Sequence, residues 1–134
     1  MAETTEFELV SPAKLVMSEP VEMVVVPGVE GDFGALPRHA PMLSTVRPGV
    51  VDIHKGGKVE TRLFVAGGFA EVTAERCTVL AEEAFPLDGV TAEQAQARLQ
   101  SARDDLAEAE GDGAKARAAK AVTVAEALVA AVGA

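Results

Sequence analysis

The chain has one cysteine, Cys77, only two histidines, and neither tryptophan nor tyrosine. A lone cysteine excludes an intrachain disulfide and points to a reducing compartment. No stretch approaches the ~20 apolar residues that a membrane-spanning helix needs, and no basic-then-apolar leader opens the sequence. Basic residues are sparse too. Against 21 Asp and Glu stand 12 Lys and Arg, a net charge of −9, which argues against nucleic acid or anionic lipid as a direct partner. The expectation is a soluble intracellular protein that reaches a membrane only through something else. Its 134 residues allow one domain, or two small ones, with a real core.

The end of the chain lacks still more. From Leu87 onward there is no proline and no aromatic side chain, while 16 of the 48 residues are alanine. All seven prolines and all five phenylalanines lie at or before Pro86. Such a break predicts an α+β organisation: an all-β sandwich over residues 1–86, then an antiparallel α-helical hairpin over residues 87–134.

Glu6-Phe7-Glu8-Leu9 alternates polar and apolar as a half-buried strand does, and Pro12 ends it. Leu15 to Met17 reads as a short second strand. Val21 to Val26 reads as the strongest one, stopped by Pro27-Gly28; apolar on both faces, it implies two packed sheets or one face kept for a partner. Val50 to His54, the turn Lys55-Gly56-Gly57-Lys58, and Val59 to Val65 read as a hairpin. Gly67-Gly68 marks a bend. Phe69 to Thr73 and Cys77 to Ala81 form a further hairpin about Ala74-Glu75-Arg76. About eight short strands result. In the second part, Thr91-Ala92-Glu93-Gln94 is a capping box. Ala92, Ala95, Leu99, Ala102, Leu106 and Ala109 then make one stripe, and Ala118, Ala121, Ala125, Leu128 and Val132 a second, separated by Gly111-Asp112-Gly113.

Between these strands lies Pro27 to Gly49, PGVEGDFGALPRHAPMLSTVRPG, with four prolines, four glycines and His39. Proline fixes φ and glycine opens positive φ, so this segment reads as a built loop that presents Arg38 and His39. Gly28, Gly31 and Gly34 lack the Lys-Ser/Thr of a P-loop and the spacing of a dinucleotide fingerprint, so turn chemistry accounts for them. His39, His54 and Cys77 lack zinc-ligand spacing. His54 reads as a solvated strand residue, and His39 as either loop packing or an interface contact. Ser11 and Ser44 have no triad partners, and Glu82-Glu83, read as adjacent strand residues, point to opposite faces. No active site assembles, so neither a catalytic role, a metal nor a cofactor is expected.

Gly31-Asp32-Phe33-Gly34, then Leu36-Pro37-Arg38-His39-Ala40-Pro41-Met42-Leu43, with Pro48-Gly49 and Gly67-Gly68, resembles the pattern of the ε-subunit family of bacterial F-type ATP synthases. The resemblance covers the whole chain. It implies a non-catalytic rotor subunit on the central stalk, between γ and the c-ring, which passes ion-driven rotation toward catalytic sites on other subunits. It also implies a peripheral place on the cytoplasmic face of the bacterial inner membrane, without insertion into it. Ser11, His39 and Ser44 match positions that face γ, and Asp32, with Glu30 beside it, matches the acidic loop that meets the ring.

In some members of that family the hairpin binds ATP or enters the α/β catalytic head as an inhibitor. Here Leu87-Asp88-Gly89-Val90-Thr91-Ala92 carries Thr91 where the ATP-binding pattern has arginine, so a triphosphate would lose a bidentate donor. Lys115, Arg117 and Lys120 sit near the start of the second helix, and Ala121 to Ala134 carries only Glu126. The hairpin is therefore expected to inhibit weakly or not at all. Two rival readings remain: an ATP-sensing regulator whose hairpin closes over the nucleotide, and a free-standing sandwich adaptor.

Overall fold

The computed structural model describes residues 3–133. Two compact units meet in sequence between Pro86 and Leu87, and each is described by itself.

The first unit holds ten strands: β1 (Thr5–Ser11), β2 (Lys14–Val21), β3 (Met23–Gly28), β4 (Gly31–Ala35), β5 (Met42–Val46), β6 (Gly49–Lys55), β7 (Lys58–Val65), β8 (Gly68–Val72), β9 (Arg76–Ala81) and β10 (Ala84–Pro86). Pairing runs in the order β10-β7-β6-β3-β5-β8-β9-β1-β2, with β4 beside β3. All of these pairs are antiparallel except β1 with β9. The sheet folds over one core to give a β-sandwich, in which Phe7, Leu9, Val21, Val24, Val26, Ile53, Val65, Val72, Cys77 and Val79 are almost wholly buried. Period-two alternation explains the choice: Phe7 and Leu9 face in while Glu6 and Glu8 face out.

Several elements depart from the sequence expectation. The strand expected over Val21 to Val26 is two strands, since β2 runs through Pro20 to Val21 and β3 begins at Met23. Pro27 and Gly28 continue β3 instead of stopping it, because Pro27 pairs with Asp32 and Gly28 with Gly31. The presumed loop contains β4 and β5. Its glycines hid β4, yet Ala35 is buried and Phe33 packs on the core. Glu82 and Glu83 lie in a bend before β10, not in a strand.

Two turns behave as their glycines require. Gly56 and Gly57 both have positive φ, 62° and 76°, the pair of values that a two-residue hairpin turn needs. At Gly68 a Cβ would lie 2.0 Å from the Leu80 carbonyl oxygen. No larger residue allows β8 and β9 to approach in this way.

The second unit opens with a 3₁₀ turn at Leu87–Gly89, followed by α1 (Ala92–Glu108) and α2 (Asp112–Gly133). Thr91 caps α1: its hydroxyl accepts from the Gln94 amide at 3.1 Å, and the Gln94 side chain accepts from the Thr91 amide at 3.0 Å. Gly111, at φ 84°, turns the chain into α2. Leu99 and Ala102 pack against Ala125, with Val122 and Val129 alongside. Asp105 and Glu108, late in α1, share a groove with Ala114 and Arg117, early in α2. The helices are therefore antiparallel. The α2 stripe holds at Ala125 and Leu128, which are buried, but Ala121 is exposed and Val122 packs on the seam in its place.

Candidate functional site

The segment Pro27 to Gly49 forms a hairpin tip with β4, a corner, and the strand β5 between β3 and β8. At the tip, Gly28 closes on Gly31, and a Cβ on Gly28 would lie 2.8 Å from the Gly31 carbonyl oxygen. Gly31 has φ 134°, open only to glycine. Val29, Glu30 and Asp32 are exposed.

One side chain braces this tip. Arg47, just after β5, donates through Nη1 to the Gly28 carbonyl and through Nη2 to Asp32 Oδ1 at 2.6 Å. Its backbone amide donates to the Pro27 carbonyl at 2.9 Å, and the Val29 amide donates to the Thr45 carbonyl at 3.0 Å. Asp32 is thus ion-paired within the chain, while Glu30 stands at the turn. Sequence reasoning missed Arg47. The available signal was an arginine beside Pro48-Gly49, within the same proline- and glycine-built segment as Asp32.

The corner, Leu36 to Pro41, lies at the other end of β5. Arg38 takes φ 64°, a left-handed conformation uncommon outside glycine. It is held there by its amide donating to the Ala74 carbonyl at 2.7 Å and by an ion pair with Glu3. That guanidinium keeps the Glu3 carboxyl below its ordinary pKa, first by hydrogen bonding and then by its charge. His39 is partly exposed, and its Nδ1 donates to the Ala40 carbonyl at 2.6 Å. The corner is fixed from both sides.

The residues matched to γ-facing positions do not cluster. Met42, β5's first residue after the His39 corner, lies in register with Val72, Cys77 and Phe7. Ser11 follows Val10, which lies in register with Leu80, Phe69 and Thr45. Ser11 and His39 therefore mark opposite ends of the same ladder. Ser44 lies in register with Ala70 and Val79, both fully buried, so it belongs to the inner side of β5.

The outer side of this sheet carries a feature that sequence reasoning did not find. Thr45, Phe69, Leu80, Val10 and Leu15 form one register row across β5, β8, β9, β1 and β2. Five strands at ~4.8 Å spacing make this row about 19 Å long. Phe69 and Leu80 are each 54% exposed, Leu15 is 56% exposed, and Leu43, on the same face of β5, is 73% exposed. The next row is polar: Glu71, Thr78 and Glu8 follow Leu43, and Arg76 donates to Glu8 at 2.7 Å. A contiguous apolar strip with a charged margin is the form of a protein-docking surface. The sequence did suggest a face kept for a partner, but on Val21 to Val26. There Val24 and Val26 are buried and Met23 and Val25 half-buried.

Among the described residues, no cluster of three or more His, Cys, Asp or Glu side chains is placed to hold a metal ion. No helix among them is long and apolar enough to cross a membrane. Cys77 is buried in the core, and burial pushes its thiol up to about 12.

The sandwich falls in a known class of domain: residues 4–87 match the family model of the ATP synthase delta/epsilon chain β-sandwich domain. Whole-chain comparison narrows this. The chain is 67% identical to the ATP synthase epsilon chain of Rhodospirillum rubrum, covering 98% of each, and 63% identical to that of Paramagnetospirillum magneticum, covering 98% and 99%. It belongs to the ATP synthase epsilon chain family, as a subunit of that complex. Its fold is shared with a chain of the Euglena gracilis mitochondrial ATP synthase, solved with OSCP, F1 and c-ring (TM-score 0.79, 23% identity, 96% of this chain and 81% of that one). It is shared also with a chain from the central stalk and c-ring of the Tetrahymena thermophila mitochondrial enzyme (TM-score 0.67, 14% identity, 96% of each).

Proposed function

We propose that the chain is a non-catalytic rotor fitting of a proton-translocating F-type ATP synthase, peripheral on the cytoplasmic face of a bacterial inner membrane. The sandwich grips γ and seats on the c-ring, so that ring rotation turns γ and drives synthesis elsewhere. The observation that carries this reading is the exposed row Phe69, Leu80, Val10 and Leu15. A flat, stiff apolar strip is what a fixed partner needs, and a part transmitting torque must not slip. Ser11 and His39 lie at the two ends of the γ contact, Ser44 sits behind it on the inner side of β5, and Glu30 and Asp32 lie on the side turned to the ring.

The hairpin contributes little to regulation. The α2 cations, Lys115, Arg117 and Lys120, are confined to its first half, so its far end offers no attraction to an acidic site on the α/β head. The Thr91 hydroxyl is engaged in capping α1 and supplies nothing like the missing arginine. The first point weighs against inhibition by the hairpin, the second against the nucleotide-sensing alternative.

The test is γ binding by the full-length chain. Phe69→Asp is expected to weaken association by roughly 30-fold or more, the scale of losing a central aromatic anchor, with the circular dichroism spectrum unchanged. An unaltered affinity would remove the apolar row from the interface and leave the rotor reading without its main support.

A further inference from the structure

We propose that Arg47 is the positioning residue of the β3–β4 tip, and that Glu30 supplies the charge this tip presents. Asp32 is held as the inner half of a clamp. The second statement rests on the reading that the tip docks against the ring; the first stands by itself.

The geometry carries the clamp. Four bonds join the chain around Arg47 to the tip: its amide to Pro27, Nη1 to Gly28, Nη2 to Asp32, and the Val29 amide to Thr45. Two of them use different nitrogens of one planar guanidinium, which reaches a backbone carbonyl and a carboxylate together. A lysine ammonium is a single point charge and cannot reproduce that fork. The pair is substantially exposed, with Arg47 at 43% and Asp32 at 60%. Exposed pairs contribute little to global stability, so the role of this one is local shape. Gly28 and Gly31 make the turn pliable, at φ 134° for the latter. Arg47 removes that pliability from the side facing β5.

Charge is allotted accordingly. The Asp32 carboxylate already meets a cation at 2.6 Å, so a basic partner loop would have to compete with Arg47 for it. Glu30 lies two residues away, in the exposed turn between β3 and β4.

Two measurements test this. In the purified full-length chain, Arg47→Ala should speed amide hydrogen exchange at Val29 roughly ten-fold, the scale of one charge-assisted bond, while β9 amides keep their rates. Arg47→Lys should recover only part of the protection. Unchanged Val29 exchange in Arg47→Ala, or full recovery in Arg47→Lys, overturns the clamp.

The second measurement is ATP-driven proton pumping by assembled complexes in membrane vesicles. Glu30→Lys should lower pumping. Arg47→Ala and Asp32→Asn should each lower it less, and the double variant should lose no more than Arg47→Ala alone. Additive losses would show Asp32 meeting the ring directly and overturn the allotment. Full pumping by all variants would remove the tip from the ring contact and overturn the role of Glu30, with the clamp still judged by exchange.

Discussion

The two units of the chain solve the same problem with very different means. The sandwich buries Phe7, Leu9, Ile53 and a set of valines almost completely, each large enough to contribute about 1.5–3 kcal/mol on burial. The α1–α2 seam rests on Leu99, Ala102 and Ala125, with two half-buried valines beside it. Alanine raises helix propensity and lets backbones approach, but it removes little apolar area from water. The lesson concerns rigidity. The sandwich is fixed by long-range packing, while the hairpin relies on propensity and caps, which hold a helix without holding it firmly against a neighbour.

The sharpest way to break this contrast is Phe7→Ala. Phe7 is wholly buried in the sandwich core, so the cavity should cost about 3–5 kcal/mol, read as a large fall in the urea midpoint. Leu99→Ala should cost about 2 kcal/mol, near the low end for such changes. Its effect should appear as faster exchange in α1 and α2, with β8 and β9 amides unaffected. Equal losses from both substitutions, spread over both units, would mean that the chain unfolds as one body.

Cys77 gives a pH test confined to the sandwich. Its thiol titrates at about 12 when folded, because burial disfavours the thiolate, against an ordinary value of 9.0. The unfolded chain therefore releases this proton first, and stability falls as pH rises. The contribution is intact below the unfolded value and is lost from about 9 upward, at about 1.4 kcal/mol per pH unit. Urea midpoints of wild type and Cys77→Ala, measured from about pH 8 to 10.5, should diverge in slope only at the alkaline end. Thr91→Ala should have the smallest effect. Losing the cap of α1 costs about 1 kcal/mol, and the change should be confined to the exchange rates of that helix's first turn.

What was legible in the sequence divides along physical lines. Thr91 with Gln94, and Gly56 with Gly57, were readable because their partners lie within a few residues. The break near Pro86 was readable from composition. β4 was hidden because Gly31 and Gly34 have no strand propensity, and only pairing with Pro27 to Val24 makes the strand. β10 is three residues long, and pairing with Leu63 to Val65 defines it. The α2 stripe was right at Ala125 and Leu128 and wrong at Ala121, because alanine on nearly every face offers several stripes and the valines then decide between them.

The site was harder to read for a similar reason. Each residue of the outer row sits on a different strand, so the row exists only once five registers are set. Arg47 finds Asp32 across a hairpin and a corner, through a fold that local patterns do not specify. Glu30, Asp32, His39, Ser11 and Ser44 were named from a motif, and a motif says nothing about which of them already has an internal partner.

The parallel pairing of β1 with β9 bears on how the molecule is born. Phe7 lies opposite Cys77, so the N-terminal strand must wait for most of the polypeptide to leave the ribosome before its inner edge is covered. Until then β1 and β2 form a hairpin with an open hydrogen-bonding margin, the kind of edge that invites intermolecular association. Closure over so long a sequence separation makes assembly of the sandwich slow compared with the local winding of α1 and α2.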